Sequence, residues 1–98
     1  MLTIWKFKFE IASVVEIEMP SSFRVVHAEG CGISYAPSPK REGFLWAMVE
    51  TDSKIKMISF RIFGTGHEIG CSPLLPMPNH LVTFRDGPFM WHLFEWLE

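Results

Sequence analysis

The chain reads as an all-β domain, a small antiparallel barrel or sandwich of about six to seven short strands with two long loops. Three observations predict this class. Apolar side chains recur with a period of two rather than 3.6, so successive segments each present one apolar and one polar face, as half-buried strands do. Glycine, proline, serine and aspartate gather between these segments at strand-length intervals. Asp86-Gly87 separates the last two segments, and Asp-Gly is favoured in two-residue type I′ hairpin turns.

The first segment sets Thr3, Trp5, Phe7, Phe9 and Ile11 against Ile4, Lys6, Lys8 and Glu10, which predicts a strand with its odd positions inward. Val15, Ile17 and Met19 alternate with Glu16 and Glu18 in the same phase, and Pro20-Ser21-Ser22 ends that second strand because proline lacks an N–H and serine favours turns. A third strand is expected over residues 23–28. Residues 29–43 carry Gly30, Gly32, Pro37, Ser38 and Pro39 and read as a surface loop, a length that in compact domains usually serves function.

Residues 44–50 are apolar on both faces and read as a buried strand that Thr51-Asp52-Ser53 turns back into residues 54–63, giving a hairpin with Lys56, Ile58, Phe60 and Ile62 in one phase. Residues 64–80 are rich in proline and glycine and form the second long loop. Residues 81–85 and 89–96 complete the set. Trp91, Phe94 and Leu97 could share a helical face, but β-prone aromatics directly after Asp-Gly favour a strand. The expected core gathers Trp5, Phe7, Phe9, Trp46, Phe60 and Ile62.

At 98 residues the chain is expected to be a single domain, 1–98. A domain this size buries only about 60–65 % of its unfolded surface, so nine Phe and four Trp are difficult to enclose. Some rings are expected at the surface, and a homodimer through an apolar face follows as an expectation. The net charge of −2 lacks the cationic excess that duplex nucleic acid requires, so no duplex partner is expected. Lys6, Lys8 and Glu10 interrupt the first segment, and no apolar run reaches the length of a membrane span. The sequence thus predicts a cytoplasmic protein without a membrane partner. Cys31 and Cys71 form no CxxC pair and are read as free, buried, inert thiols.

The segment with most chemical content is Arg61-Ile62-Phe63-Gly64-Thr65-Gly66-His67-Glu68-Ile69, where a strand pattern runs into a Gly-Thr-Gly-His turn. Two readings stand. In one, the turn serves geometry, with the Thr65 hydroxyl and the His67 imidazole bonding backbone groups. In the other, Arg61 and His67 donate to an anionic ligand beside the N–H groups of Gly64, Thr65 and Gly66. A phosphate loop of the nucleotide-binding kind would feed a helix, and Gly70 and Pro73 preclude one. His67, Cys71 and His80 lack the fourth ligand and the paired spacing of a structural zinc site, so no metal and no cofactor is expected. Glu10, Glu16 and Glu18 fall at outward positions, which leaves no carboxylate pair for acid–base work.

Ile4-Trp5-Lys6-Phe7, Ile17-Glu18-Met19-Pro20, Leu45-Trp46-Ala47, residues 61–69 and Trp91-His92-Leu93-Phe94-Glu95 together resemble a small domain of bacteriophages and prophages. The likeness spans nearly the whole chain; its most specific marks are the Gly-Thr-Gly-His turn and the terminal Trp-His-x-Phe-Glu. That family carries no assigned activity. The chain departs from it over residues 31–43, where the resembling domains have a shorter turn, and this insertion is expected to meet the protein's own partner.

Three classes of function compete. The first is a phage-encoded, non-enzymatic protein that binds and inhibits a bacterial host or defence protein, which suits the aromatic excess and the absence of a catalytic pattern. The second is a binder of a small anionic ligand, such as a nucleotide-signal sponge, built on the glycine turn. The third is a Cys/His-dependent enzyme that pairs Cys31 or Cys71 with His27, His67 or His92. Binding is the expected class, with Arg61, Gly64, Thr65, Gly66, His67, Trp91 and His92 as the ligand- or partner-binding residues and none catalytic.

Overall fold

A computed structural model describes residues 1–35, 38–67, 69 and 79–96. Among these residues seven strands follow in chain order: β1 Leu2–Glu10, β2 Val14–Pro20, β3 Phe23–Ser34, β4 Lys40–Glu50, β5 Ile55–Gly64, β6 Asn79–Asp86 and β7 Phe89–Glu95. They form a three-stranded sheet in the order β1-β4-β3 and a four-stranded sheet in the order β2-β5-β7-β6, with every pairing antiparallel. The shortest dimension, 21 Å, fits two packed layers with their side chains.

Alternation places the core where the sequence puts it in β2, whose Val15, Ile17 and Met19 are buried while Glu16 and Glu18 face solvent. From the opposite sheet Phe9, Ala28 and Leu45 meet Phe60, Ile62, Phe84 and Leu93 in one apolar cluster. Phe9 packs edge-on to Phe84 at 6.0 Å between ring centroids, and Phe23 does the same to Phe60 at 6.1 Å, the geometry that aromatic quadrupoles favour. Of the six expected core residues, Phe9, Phe60 and Ile62 are buried and Phe7 packs against the cluster. Trp5 and Trp46 are corrections. Trp5 is 39 % exposed, and Trp46 lies on the outer face of β4 because its neighbours Leu45 and Ala47 fill the inner one.

The connections also differ from expectation. Residues 51–53 do not close a hairpin, since β4 belongs to one sheet and β5 to the other. They form a corner that adjoins a second corner at Ser21-Ser22. Ser21 N–H donates to Lys54 O at 2.8 Å, Ser22 N–H to Ser53 Oγ at 3.1 Å, and Glu50 N–H to Ser22 O at 2.9 Å. The Met1 ammonium donates to the carboxylates of Glu50 and Asp52 beside these corners. The hydrogen bond with Glu50 raises the pKa of the amine above its ordinary value and holds Glu50 below its own.

The expected loop at 29–43 is largely strand. Glu29 pairs with Phe44, Gly30 with Gly43, Gly32 with Glu42 and Ser34 with Lys40, so this stretch lengthens the β3–β4 hairpin. Register shifts at Val25/His27 and at Gly30/Gly32 bend β3, and Gly32 takes a φ of 91° at the second. The β6–β7 hairpin stands where Asp-Gly puts it, with a different turn. Asp86 pairs with Phe89, so the central residues are Gly87 and Pro88, and among the described residues no non-glycine residue has positive φ. A glycine at φ 58° followed by proline fits type II′ rather than I′.

β3 and β6 close one side of the sandwich without a backbone ladder between them. Their approach is close at Gly30, where a methyl group would stand 2.5 Å from Asp86 Cβ and 2.8 Å from its Cα. Asp86 is 3 % exposed, and Arg41 Nη1 donates to its Oδ2 at 2.9 Å while the guanidinium lies 4.6 Å over the Phe89 ring. An ion pair reaching from β4 to β6 thus spans the seam between the sheets.

Candidate functional site

The Gly64-Thr65-Gly66-His67 turn is closed on itself. His67 N–H donates to Gly64 O at 3.0 Å, and Gly64 N–H donates to His67 Nδ1, also at 3.0 Å. Accepting at Nδ1 requires the neutral imidazole with its proton on Nε2. The ring comes so near that a Cβ at Gly64 would lie 2.8 Å from His67 Cε1, and Gly66 has a φ of 86°. The Gly64 N–H, one of the three of the supposed anion nest, is therefore already engaged within the turn, as is the N–H of His67.

Thr65 leads to a chain of polar contacts on the outer face of the four-stranded sheet. Its Oγ1 meets His92 Nε2 at 2.8 Å, Thr83 Oγ1 meets His92 Nδ1 at 2.9 Å, and His80 Nε2 meets the same Thr83 oxygen at 2.9 Å. Thr83 has one proton to give, so at least one of the two imidazole nitrogens donates to it. β6 and β7 bring these groups together because Thr83 and His92 are cross-strand partners.

The remaining residues divide between the two faces. Gly64, Thr65, His67, Phe89, Met90 and Trp91 line a cavity of about 390 Å³ at the end of the sandwich. The Trp91 and His67 rings stand edge-on there, 6.4 Å apart, and the Trp91 Nε1 is buried without a hydrogen-bond partner among the described residues. Arg61 is not among the lining residues. It projects from the outer face of β5, its guanidinium 5.1 Å over the Trp96 ring and its Nε buried without a partner among the described residues. The structure thus joins Gly64, Thr65, His67 and Trp91, links His92 to them through Thr65, and sets Arg61 apart.

Around Arg61 lies an aromatic group that the sequence reading missed. Phe63 meets Phe94 at 5.7 Å and Trp96 at 6.2 Å, and His80 stands edge-on to Phe94 at 5.3 Å. The signal was present in phase: with Phe60 and Ile62 inward, Arg61 and Phe63 must face outward. Cys31 is free and exposed rather than buried, which corrects the expectation for that thiol. Cys71, and with it the His67-Cys71-His80 combination weighed for zinc, lies outside the described residues; among those described, no cluster of three metal-ligating side chains occurs. No helix of the described residues is long and apolar enough to cross a membrane.

The model of one protein family, Domain of unknown function (DUF7352), matches residues 1–98. The chain belongs to that family. No curated protein and no solved structure matches this DUF7352 chain. Its site is therefore read from its own geometry: a self-satisfied glycine turn, a small apolar cavity behind it, and an aromatic face with one arginine.

Proposed function

We propose that this chain is a phage-encoded, non-enzymatic binding protein of the bacterial cytoplasm that inhibits a host or defence protein. The observation that carries the reading is the outer face of the four-stranded sheet, where Arg61, Phe63, Phe94 and Trp96 cluster and the His80-Thr83-His92-Thr65 chain borders them. Tryptophan and arginine are the residue types that carry binding energy at protein interfaces, and a polar border excludes water around such anchors. The imidazoles of His67, His80 and His92 take backbone or threonine partners, an arrangement that supports binding rather than nucleophilic catalysis. The phage setting rests on the residues that resemble phage domains. A homodimer through an apolar face is also part of the proposal.

The test is affinity capture from bacterial lysate with Arg61→Ala and Phe94→Ala beside the native protein. One host protein retained in stoichiometric amount by the native chain, and lost in both variants at unchanged melting temperature, supports the reading. Equal retention by both variants overturns the placement of the interface.

One observation favours a second reading. The cavity bounded by His67 and Trp91 lies in the size range of small-molecule sites, about 300–1,000 Å³, so a small anionic ligand such as a nucleotide signal could enter against the indole. A thermal shift with a mono-, di- or cyclic nucleotide that disappears in His67→Ala supports it, and no shift across such a panel removes it.

A further inference from the structure

The other sheet has an outer face of different character. Register places Ile4, Met48 and Arg24 in one row across β1, β4 and β3, then Lys6, Trp46 and His27, then Lys8, Phe44 and Glu29. Phe44 and Trp46 are two apart on the central strand and project from the same face, their ring centroids 6.2 Å apart. Lys6 Nζ lies 4.0 Å over the Phe44 ring and 5.4 Å from the Trp46 ring, and the His27 imidazole is 5.3 Å from Trp46. Lys8 is paired with Glu42 at 3.6 Å, whereas Lys6 and Arg24 have no carboxylate within 4.0 Å among the described residues.

We infer that this face binds single-stranded nucleic acid, with Phe44 and Trp46 stacking successive bases and Lys6 and Arg24 meeting phosphates. Two adjacent rings on a flat sheet offer a platform that unpaired bases can occupy and a duplex, whose base faces are already stacked, cannot. The flanking charges supply the complementarity: Lys6 stands beside Trp46 and over Phe44, Lys8 neighbours Phe44 on β1, and Arg24 lies in the next row beside Met48, while Glu29, 3.6 Å from His27, adjoins Phe44 on β3 and Glu10 and Glu42 lie toward the far end of the strands. Lys6 now covers Phe44, but an exposed cation–π contact is weaker than base stacking, so the ammonium yields its ring and turns to a phosphate. Low net charge and two free cations make the interaction weak and confined to short lengths of strand. This face is on the opposite layer from Arg61 and Phe94, so the inference stands or falls separately from the protein-partner reading.

The experiment is fluorescence anisotropy of end-labelled oligo(dT) and oligo(U) of about ten nucleotides, within the span one such sheet covers. Saturable binding is expected, with log K falling against log salt at a slope of about −1.4 for two phosphates neutralised. Phe44→Ala and Trp46→Ala should each weaken it roughly five- to a hundredfold. Lys6→Gln should flatten the slope by about 0.7, and Trp46→Phe, which keeps a stacking face, should restore most of the affinity if the alanine variant folds poorly. A duplex of equal length should bind more weakly than either single strand. Absence of binding at high micromolar protein, equal affinity for the duplex, or unchanged binding in both Phe44→Ala and Lys6→Gln would each overturn the inference. So would capture of a protein through Trp46 in the absence of any oligonucleotide binding.

Discussion

Arg41→Ala should destabilise the fold out of proportion to its place near the surface. Its guanidinium donates to the Asp86 carboxylate, which is 3 % exposed, and removing it leaves that charge without an ionic partner among the described residues. Breaking a fully buried pair costs about 3–5 kcal/mol, and Arg41, 34 % exposed, lets water approach, so about 2–3 kcal/mol is the better expectation. For a domain of this size that corresponds to a fall in Tm of about 10–20 °C. The assay is thermal and urea denaturation of Arg41→Ala, Asp86→Ala and the double variant. A shared interaction predicts that the double variant loses much less than the sum of the singles, since neither leaves a charge behind. A Tm change below about 2 °C for Arg41→Ala, or losses that simply add, would refute the claim that this pair holds β3 and β4 against β6.

Gly66→Ala should cost about 1 kcal/mol or more through its positive φ alone, because an added methyl group would meet no atom within 4 Å; Gly64→Ala should expel the His67 ring and shift that residue's imidazole NMR signals. Trp46→Ala should cost less than the 3–5 kcal/mol of a fully buried ring, since it stands on an outer face, whereas Leu45→Ala next to it should lose about 2–5 kcal/mol in the same denaturation assay. In a chain beginning at Met1, the amine–Glu50 pair should stabilise at neutral pH. That contribution is lost as pH falls through the depressed folded pKa of Glu50, or rises through the elevated folded pKa of the amine, and the Glu50→Gln variant should show a flatter stability profile at both ends.

Where one face alone is apolar, the sequence was legible: Val15, Ile17 and Met19 point inward as their alternation with glutamates requires. β4 hid its phase, because Phe44, Trp46 and Met48 on the solvent side are as apolar as Leu45, Ala47 and Val49 inside. Gly30 and Gly32 read as loop residues by composition. In the structure one admits Asp86 and the other lies at a bulge, both within a strand. Nothing local in Thr51-Asp52-Ser53 distinguishes a hairpin from a corner, since the choice is made by which distant strand β5 pairs with. At the candidate site the turn was legible, but Arg61 does not line its cavity: three residues along a strand reverse the face between Arg61 and Gly64, so Arg61 stands with Phe94 and Trp96.

The order in which strands alternate between the layers bears on how the chain acquires its fold. β1, β3 and β4 complete one sheet within the first fifty residues, yet β2, lying between them in sequence, has no partner until β5 follows. Until then its Val15, Ile17 and Met19 have no opposing ladder, and a chain emerging from the ribosome would carry an unpaired apolar strand edge for as long as β5 takes to appear. Pairing of this kind closes long loops before contacts repay the entropy, which places folding in the slow, millisecond-to-second regime of β topologies. The two braced serine corners, which hold the end of β2 beside the start of β5, shorten that search once residue 54 is reached.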